Sequence, residues 1–313
     1  MTITEAEKRD YEAYFSNHVV VSAGVDGHAW AMSFVSQLVQ HASDTSYLQR
    51  YAGSCRVAGM RPEDYAATTV RLDASCTVLT AIHFLGRSVG FPFIDVSAQT
   101  GALPRPLPVA TLAHTFRGFH PRSIRIWRFG SDAAPEGIQD DLVVVGGVLR
   151  TLQTAPDLPG LSHIRLEADP TVAFYDEYCQ MYGSPQPAHR SPTLELRTSL
   201  EQCAQTQGLF RVMIDNRSAG VIAARPDSYR SWRGWHVVEE VLHPDYRGRH
   251  LAAAMQQAFL RRLEPEREPF LFGTIAAANM PSLRTALRVG RQVLEIGGFV
   301  PLDVDTPQDS HEA

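Results

Sequence analysis

His243-Pro244-Asp245-Tyr246-Arg247-Gly248-Arg249-His250-Leu251-Ala252 stands between an apolar strand and a long amphipathic helix. A short basic turn that opens a helix gathers free backbone N–H groups and the positive end of the helix dipole at one point. Such a point attracts an anion, a phosphate or pyrophosphate above all. Further on, Asn279-Met280-Pro281-Ser282 opens a second helix behind a second strand.

The pattern around these two turns is regular. Ser162 to Glu167 alternates like a short strand, and Asp169-Pro170 caps a helix through about Met181, with proline at its first position. A proline-rich loop from Ser184 to Pro192 leads into a helix near Thr193 to Gln205. Leu209 to Ile214 reads as a strand, Asn216 to Gly220 as a turn, and Gly220 to Ala224 as its hairpin partner. Trp235 to Leu242 is a strand, Leu251 to Leu263 a helix, and Phe270 to Ala276 a buried strand. Ser282 to Val289 is a helix and Gln292 to Val300 a last strand. This order predicts an α/β fold of the α+β kind, a mixed sheet with helices on both faces.

The N-terminal half is harder to read. A helix is expected from Asp26-Gly27-His28 to about Gln40, and another over Leu107 to Phe116. Strands are expected at Thr69–Leu72, Thr77–Phe84, Pro92–Ser97 and Ser123–Phe129. Helices early and strands later suggest a degenerate copy of the second half, an unrelated α+β domain being the alternative. The Pro/Gly-rich segment Thr154 to Gly160 follows the apolar strand Asp141 to Leu149 and marks the expected break. The expected domains are therefore 1–155 and 156–305, with a disordered polar tail at 306–313.

At 313 residues two domains are the natural expectation. A hydrophobic content of 44%, charge of 20% and a net charge of −5 describe an ordinary soluble protein and give no footprint for nucleic acid. No apolar run is long enough to span a bilayer, and Met1 to Asp10 is polar and acidic rather than a secretory signal. Cys55, Cys76, Cys179 and Cys203 are widely spaced and read as reduced, packed thiols of a cytoplasmic protein. None of the twelve histidines forms HxxxH or HExxH, so no metal is expected.

From about Ser162 to Leu302 the chain resembles the GNAT superfamily of acyl-CoA N-acyltransferases. That family's phosphate-binding signature, Arg/Gln-x-x-Gly-x-Gly/Ala after a strand, is matched here by Arg247-Gly248-Arg249-His250-Leu251-Ala252. Asn279-Met280-Pro281-Ser282 is similar to the family's Asn-x-x-Ala/Ser helix start, and Gly290 falls where that motif places its glycine. The resemblance implies a GNAT-like fold for this half; the N-terminal half is either a degenerate tandem copy of it or the unrelated α+β domain. It implies acetyl-CoA or another acyl-CoA as co-substrate, held along Val241, Leu242, Arg247, Gly248, Arg249, His250, Leu251, Ala252, Asn279 and Ser282.

It further implies transfer of an acetyl or other short acyl group to a primary amine of a small molecule, by direct attack in a ternary complex. Such an enzyme needs a base for the ammonium proton. Glu239 and Glu240 are adjacent on the strand before the turn, so their side chains point to opposite faces. Glu240 is favoured, on a face with Val238 and Leu242; Glu239 shares one with Val237 and Val241. The alternative is that both are strand-edge carboxylates paired with arginines.

Three departures stand out. His250 replaces the usual glycine, Ala286 stands where many relatives carry a tyrosine acid, and Arg291 replaces an aromatic. His250 is expected to have helical dihedrals. The thiolate then leaves unaided or takes its proton elsewhere. Tyr229, Trp232 and Trp235 are acceptor candidates, ordinary hairpin packing being the alternative. The run from His114 to Arg122 could hold an acidic acceptor or form a solvated loop. A homodimer is compatible with all of this. The competing functions are a non-catalytic acyl-CoA-binding regulator and an acyltransferase using a longer-chain or carrier-protein thioester.

Overall fold

The computed structural model describes residues 3–23, 27–129, 134–182, 194–230 and 232–302. The chain divides into two compact units. One is built on Gly27–Asp140 together with the chain up to His18 and from Gly297; the other is built on Asp141–Ile296 together with the stretch from Val19.

The first unit begins with α1 (Glu5–Ala23), α2 (Gly27–Ser43) and α3 (Thr45–Ser54). The Asp44 carboxylate caps α3 by accepting from the Ser46 and Tyr47 amides at 2.9 and 3.1 Å. β1 (Thr68–Arg71), β2 (Thr77–Phe84) and β3 (Pro92–Gln99) then run antiparallel. After α4 (Val109–Thr115), β4 (Ser123–Phe129) lies parallel to β3. The four strands and α4 lie close to where the sequence puts them. Helices α1 and α3 were not expected. The polar start of the chain hides the i,i+4 pair Tyr11 and Phe15, both buried, and α3 buries only Leu48. Asp26, the expected start of the early helix, lies outside the described residues; α2 itself runs from Gly27.

The second unit takes most of β5 (Gln139–Val148) and continues with α5 (Leu149–Gln153), β6 (Ile164–Ala168), α6 (Tyr175–Met181) and α7 (Arg197–Gln205). Then come β7 (Leu209–Ile214), β8 (Arg217–Tyr229), β9 (Trp232–Leu242), α8 (Leu251–Leu260), β10 (Phe270–Ala276), α9 (Met280–Arg288) and β11 (Gln292–Pro301). Strands β6 to β9 pair antiparallel in order, β10 joins β9 in parallel, and β5 closes antiparallel on β10. Two cores cover opposite faces of this sheet. Trp235, Leu242 and Leu271 pack with Phe259 and Leu260 of α8, while Val221, Ala223 and Val241 pack with Tyr178, Leu200 and Cys203 of α6 and α7. This is the mixed α/β fold that the periodicity predicts.

From α1 in the first unit and from α6 in the second, one order recurs: helices, antiparallel strands, a helix, then a strand parallel to the last one. The division differs from the expected break at residue 155. Thr154 to Gly160 is not a linker, because the buried side chain of Gln257 pins it to α8. Gln257 accepts from the Leu158 amide at 2.7 Å and donates to the Ala155 and Pro156 carbonyls at 3.2 and 2.7 Å. Each unit also takes a strand segment from the other half of the chain: Asp141–Val148 joins the second unit, and β11 from Gly297 joins the first. The proline-rich loop Ser184 to Pro192, the start of the helix expected at Thr193, and the tail 306–313 lie outside the described residues.

Among the described residues no helix is long and apolar enough to cross a membrane, and no cluster of metal-ligating side chains occurs. Cys55, Cys76, Cys179 and Cys203 are free thiols, and all but Cys179 are buried.

Candidate active site

The site begins where two parallel strands part. β9 and β10 pair at Gly234↔Phe270, Trp235↔Leu271 and His236↔Phe272, and the register stops there. Gly234 allows the close start, because a Cβ there would stand 2.5 Å from the Phe270 carbonyl oxygen. Beyond it β10 stays with β5 as far as Ala276↔Leu142, and β9 stays with β8 as far as Leu242↔Gly220. From Val237 to Leu242 the β10-facing edge of β9 has no strand partner among the described residues.

A cavity of about 550 Å³ opens beside this edge. Glu240 and Leu242 of β9, the turn residues Tyr246, Arg247, Gly248 and His250, and Leu251, Ala252, Ala253, Met255 and Gln256 of α8 line one part of it. Pro281, Ser282, Arg284, Thr285 and Arg288 of α9 line the rest. The two turns singled out in the sequence therefore meet on one cavity. The first amides of α8 lack partners within the helix and carry its positive dipole end. Arg284 and Arg288, one turn apart on α9, add two exposed positive charges.

The turn is built differently from expectation at His250. Its φ and ψ are 60° and 18°, in the left-handed region, and it precedes α8 as N-cap without a side-chain hydrogen bond. The chain reverses sharply here so that the first turn of α8 faces the cavity, and only glycine does this without strain. Gly248, at φ 71°, has open space around its missing Cβ. His250→Gly is expected to stabilise the protein by about 0.5–1 kcal/mol, relief of left-handed strain less the extra freedom of glycine in the unfolded chain. Urea unfolding measures this; a destabilised variant would show that the imidazole holds the turn.

The other turn residues divide. The Arg247 Nε donates to the Leu242 carbonyl at 2.8 Å and its Nη2 to the Met181 carbonyl at 2.7 Å. This arginine ties the end of β9 to the end of α6, so its first task is to hold the turn. Arg249 lies over the Tyr246 ring at 5.6 Å and does not line the cavity. Asn279 accepts from the Ser282 amide at 3.3 Å and so caps α9; of these two, Ser282 lines the cavity. The Val241 side chain belongs to the core on the α6–α7 face, leaving its backbone at the free strand edge.

Glu239 and Glu240 occupy opposite faces, as alternation requires. A bulge changes their neighbours: Ala223 pairs with Glu239 and Ala224 with Val237, so Val238 is an extra residue. Val238 packs with the α6–α7 core and Val237 with the α8 core, the reverse of simple alternation. Glu239 is buried and accepts from the hydroxyls of Tyr178 and Tyr182, the latter at 2.5 Å, and from the Glu240 amide at 2.8 Å. Burial pushes its carboxyl above the usual range, against the pull of the two tyrosines. It does not line the cavity.

Glu240 does line it, on the face of Leu242 and α8. Its Oε1 accepts from Arg291 Nη2 at 2.9 Å and its Oε2 from Gln256 Nε2 at 2.8 Å. Burial pushes this carboxyl up as well, and the Arg291 charge opposes the rise. Gln256 and Arg291 are both almost wholly buried, and among the described residues Gln256 Oε1 and Arg291 Nε have no hydrogen-bond partner. Sequence reading missed Gln256, Arg284 and Arg288, although helical spacing from Ala252 and Pro281 would have found them. Arg291 was noted only as a departure; its partner is three-dimensional.

The remaining candidates are structural. Ala286 is fully buried against Val143, Val145 and Ile275 and offers no proton. Trp235 is a core residue, Tyr229 donates to Glu295 and stacks near Phe272, and the Trp232 side chain lies outside the described residues. In the run from His114 to Arg122, Phe116 and Phe119 are core, and the exposed Arg117 and His114 contact each other at 2.9 Å.

No protein-family model matches the chain, and no curated protein matches it in sequence. Solved structures similar to it include acetyltransferases of the GNAT family. One from Colwellia psychrerythraea is 8% identical with a TM-score of 0.48, covering 87% of this chain and 97% of its own. A GCN5-related N-acetyltransferase from Sphaerobacter thermophilus is 14% identical with a TM-score of 0.45, over 84% and 95% of the two chains. A tandem GNAT protein from the clavulanic acid biosynthesis pathway is 13% identical with a TM-score of 0.40, over 82% and 95%.

Proposed function

We propose that the second unit is an N-acyltransferase that moves an acetyl or other short acyl group from acyl-coenzyme A to a primary amine of a small molecule, with both substrates bound together. One observation carries this reading: the amide-rich start of α8, the parted strand β9 and the carboxylate of Glu240 all border the same cavity. The donor would supply a thioester, an acyl group already activated toward amines.

The residues fit such a donor in three ways. First-turn amides of α8, with Arg284 and Arg288, suit a pyrophosphate, each charged hydrogen bond contributing roughly 1.5–3 kcal/mol. The free edge of β9 from Val237 to Leu242 suits an extended arm that carries amides. Gln256 Oε1, buried and unpartnered, calls for an N–H donor.

Glu240 would take the proton of the acceptor ammonium directly or through water. The freed nitrogen lone pair then forms the C–N bond as the C–S bond breaks, the sulfur departs as thiolate, and the second ammonium proton passes from the new amide nitrogen to that thiolate or to water. Tyr246, Ser282 and Thr285 are the hydroxyl-bearing residues on the cavity wall; Ala286 contributes nothing.

A second reading, an acyl-CoA-binding regulator without turnover, is favoured by the contacts that tie Glu240 to Arg291 and Gln256. Incubating the full chain with acetyl-CoA and a panel of primary amines, and measuring free thiol, separates the two. Amine-dependent thiol release is expected. Tight acetyl-CoA binding with no release favours the regulator, and equal affinity for CoA and for a pantetheine lacking the nucleotide favours a carrier-protein donor. Absence of binding overturns all three.

A further inference from the structure

A second cavity, of about 220 Å³, lies wholly within the first unit, between α3 and the β2–β3 pair. Its walls include the rings of Tyr47, Tyr51 and Tyr65, apolar side chains such as Leu48 and Ile82, and a polar corner of His83, Asp95 and Ser97. We propose that this cavity binds a small organic ammonium ion, with the tyrosine rings around its apolar body and Asp95 as its counter-charge.

Tyr65 is a buried member of the first unit's core, and Tyr47 and Tyr51 pack against that core beside the cavity. Tyr47 and Tyr51 stack at 5.9 Å with planes 8° apart, and Tyr65 meets Tyr51 edge-on at 6.0 Å. Aromatic faces carry negative potential and attract cations. The Tyr65 hydroxyl is spent on the Cys55 carbonyl and the Val57 amide, and the Tyr51 hydroxyl contacts His83 Nδ1 at 3.3 Å, which fixes both rings.

Asp95 accepts only neutral donors. The Ser97 hydroxyl reaches its Oδ2 at 2.7 Å and the Trp127 indole its Oδ1 at 3.1 Å. Among the described residues no ion pair holds it, and the Arg125 guanidinium lies over the Trp127, Phe93 and Phe299 rings. A carboxylate has about four acceptor positions, so capacity remains for a ligand.

Other ligand classes fit less well. An anion would meet a carboxylate and three tyrosines. A neutral apolar molecule would strip water from Asp95 without replacing it. A metal ion needs several hard ligands, and the described residues hold no such cluster. A weakly hydrated organic cation satisfies rings and carboxylate together.

This site needs no acyl donor, so it stands or falls apart from the acyltransferase reading. Titration calorimetry of the full chain with choline, with ethanolammonium and with 3,3-dimethylbutan-1-ol, the uncharged twin of choline, tests it. At least one ammonium should bind at least about ten-fold more tightly than the neutral twin. Choline winning indicates a methylated ligand, ethanolammonium a primary one. Asp95→Asn should weaken the preferred ammonium by about ten-fold or more, and Tyr47→Leu by several-fold. Equal binding of the neutral twin, undiminished affinity in folded Asp95→Asn, or no ammonium binding at up to about 10 mM overturns the proposal. Should Asp95→Asn fail to fold, Tyr47→Leu decides, since an amine held at the Glu240 cavity would bind that variant undiminished.

Discussion

Replacing Glu240 with Gln lowers amine-dependent acyl transfer by about 10²- to 10³-fold, the range expected when a positioned general base is lost, and leaves acetyl-CoA affinity within about three-fold. The prediction follows from position. Glu240 borders the cavity, whereas Glu239 is enclosed by Tyr178 and Tyr182 on the other face of the sheet. A base working near neutral pH benefits from a carboxyl held above its ordinary range, and burial pushes Glu240 in that direction. The form that acts as a base is the carboxylate, so the unaltered protein is expected to lose activity as pH falls through that raised value. The Gln variant lacks this acid limb, and the two rates differ most above it. Rates equal to those of the unaltered protein would remove Glu240 from the chemistry. Because Gln also leaves Arg291 without its counter-charge, rates are compared at a temperature where melting curves show both proteins folded.

Arg291→Met is expected to lower the free energy of unfolding by about 3–5 kcal/mol, the usual consequence of breaking a buried ion pair from one side. The Arg291 side chain is 1% exposed and that of Glu240 15% exposed, and they meet at 2.9 Å. Without the guanidinium, Glu240 must remain charged among apolar neighbours or take up a proton. The partner variant separates the explanations. Arg291→Met combined with Glu240→Gln should recover most of the loss, because replacing both members of a buried pair with neutral groups is often close to neutral. If the double variant is no more stable than Arg291→Met alone, Arg291 contributes through packing and not through charge. Denaturant unfolding of the four proteins closes this cycle.

The ion pair also accounts for two features that looked unrelated in the sequence. Arg291 follows Gly290, whose φ of 98° turns the chain from α9 into β11. The guanidinium is thereby sent back under α8 to Glu240, a contact across 51 positions. Linear spacing holds no trace of such a pair. The same is true of Gln256: its place on α8 is readable from helical spacing, but its task as a donor to Glu240 is set only when α8 packs on β9.

What the residues alone determined is the part ruled by local physics. The strands β2, β4, β7 and β10, the basic turn ahead of α8 and the helix start at Asn279 were all legible, because period, propensity and capping act within a few residues. Those same features brought the two turns onto one cavity. The tertiary structure decided the rest. It set His250 in the left-handed region, because the chain must reverse for α8 to face the parted strands. The bulge at Val238 exchanged the faces of Val237 and Val238, since register is a property of a strand pair and not of one strand. Gln257 turned Thr154 to Gly160 from an apparent linker into a strap on α8. And the turn from His243 to Ala252, read first as an anion site, gained its carboxylate wall only through packing, because Glu240, Gln256 and Arg291 come from three elements that meet only in the folded chain.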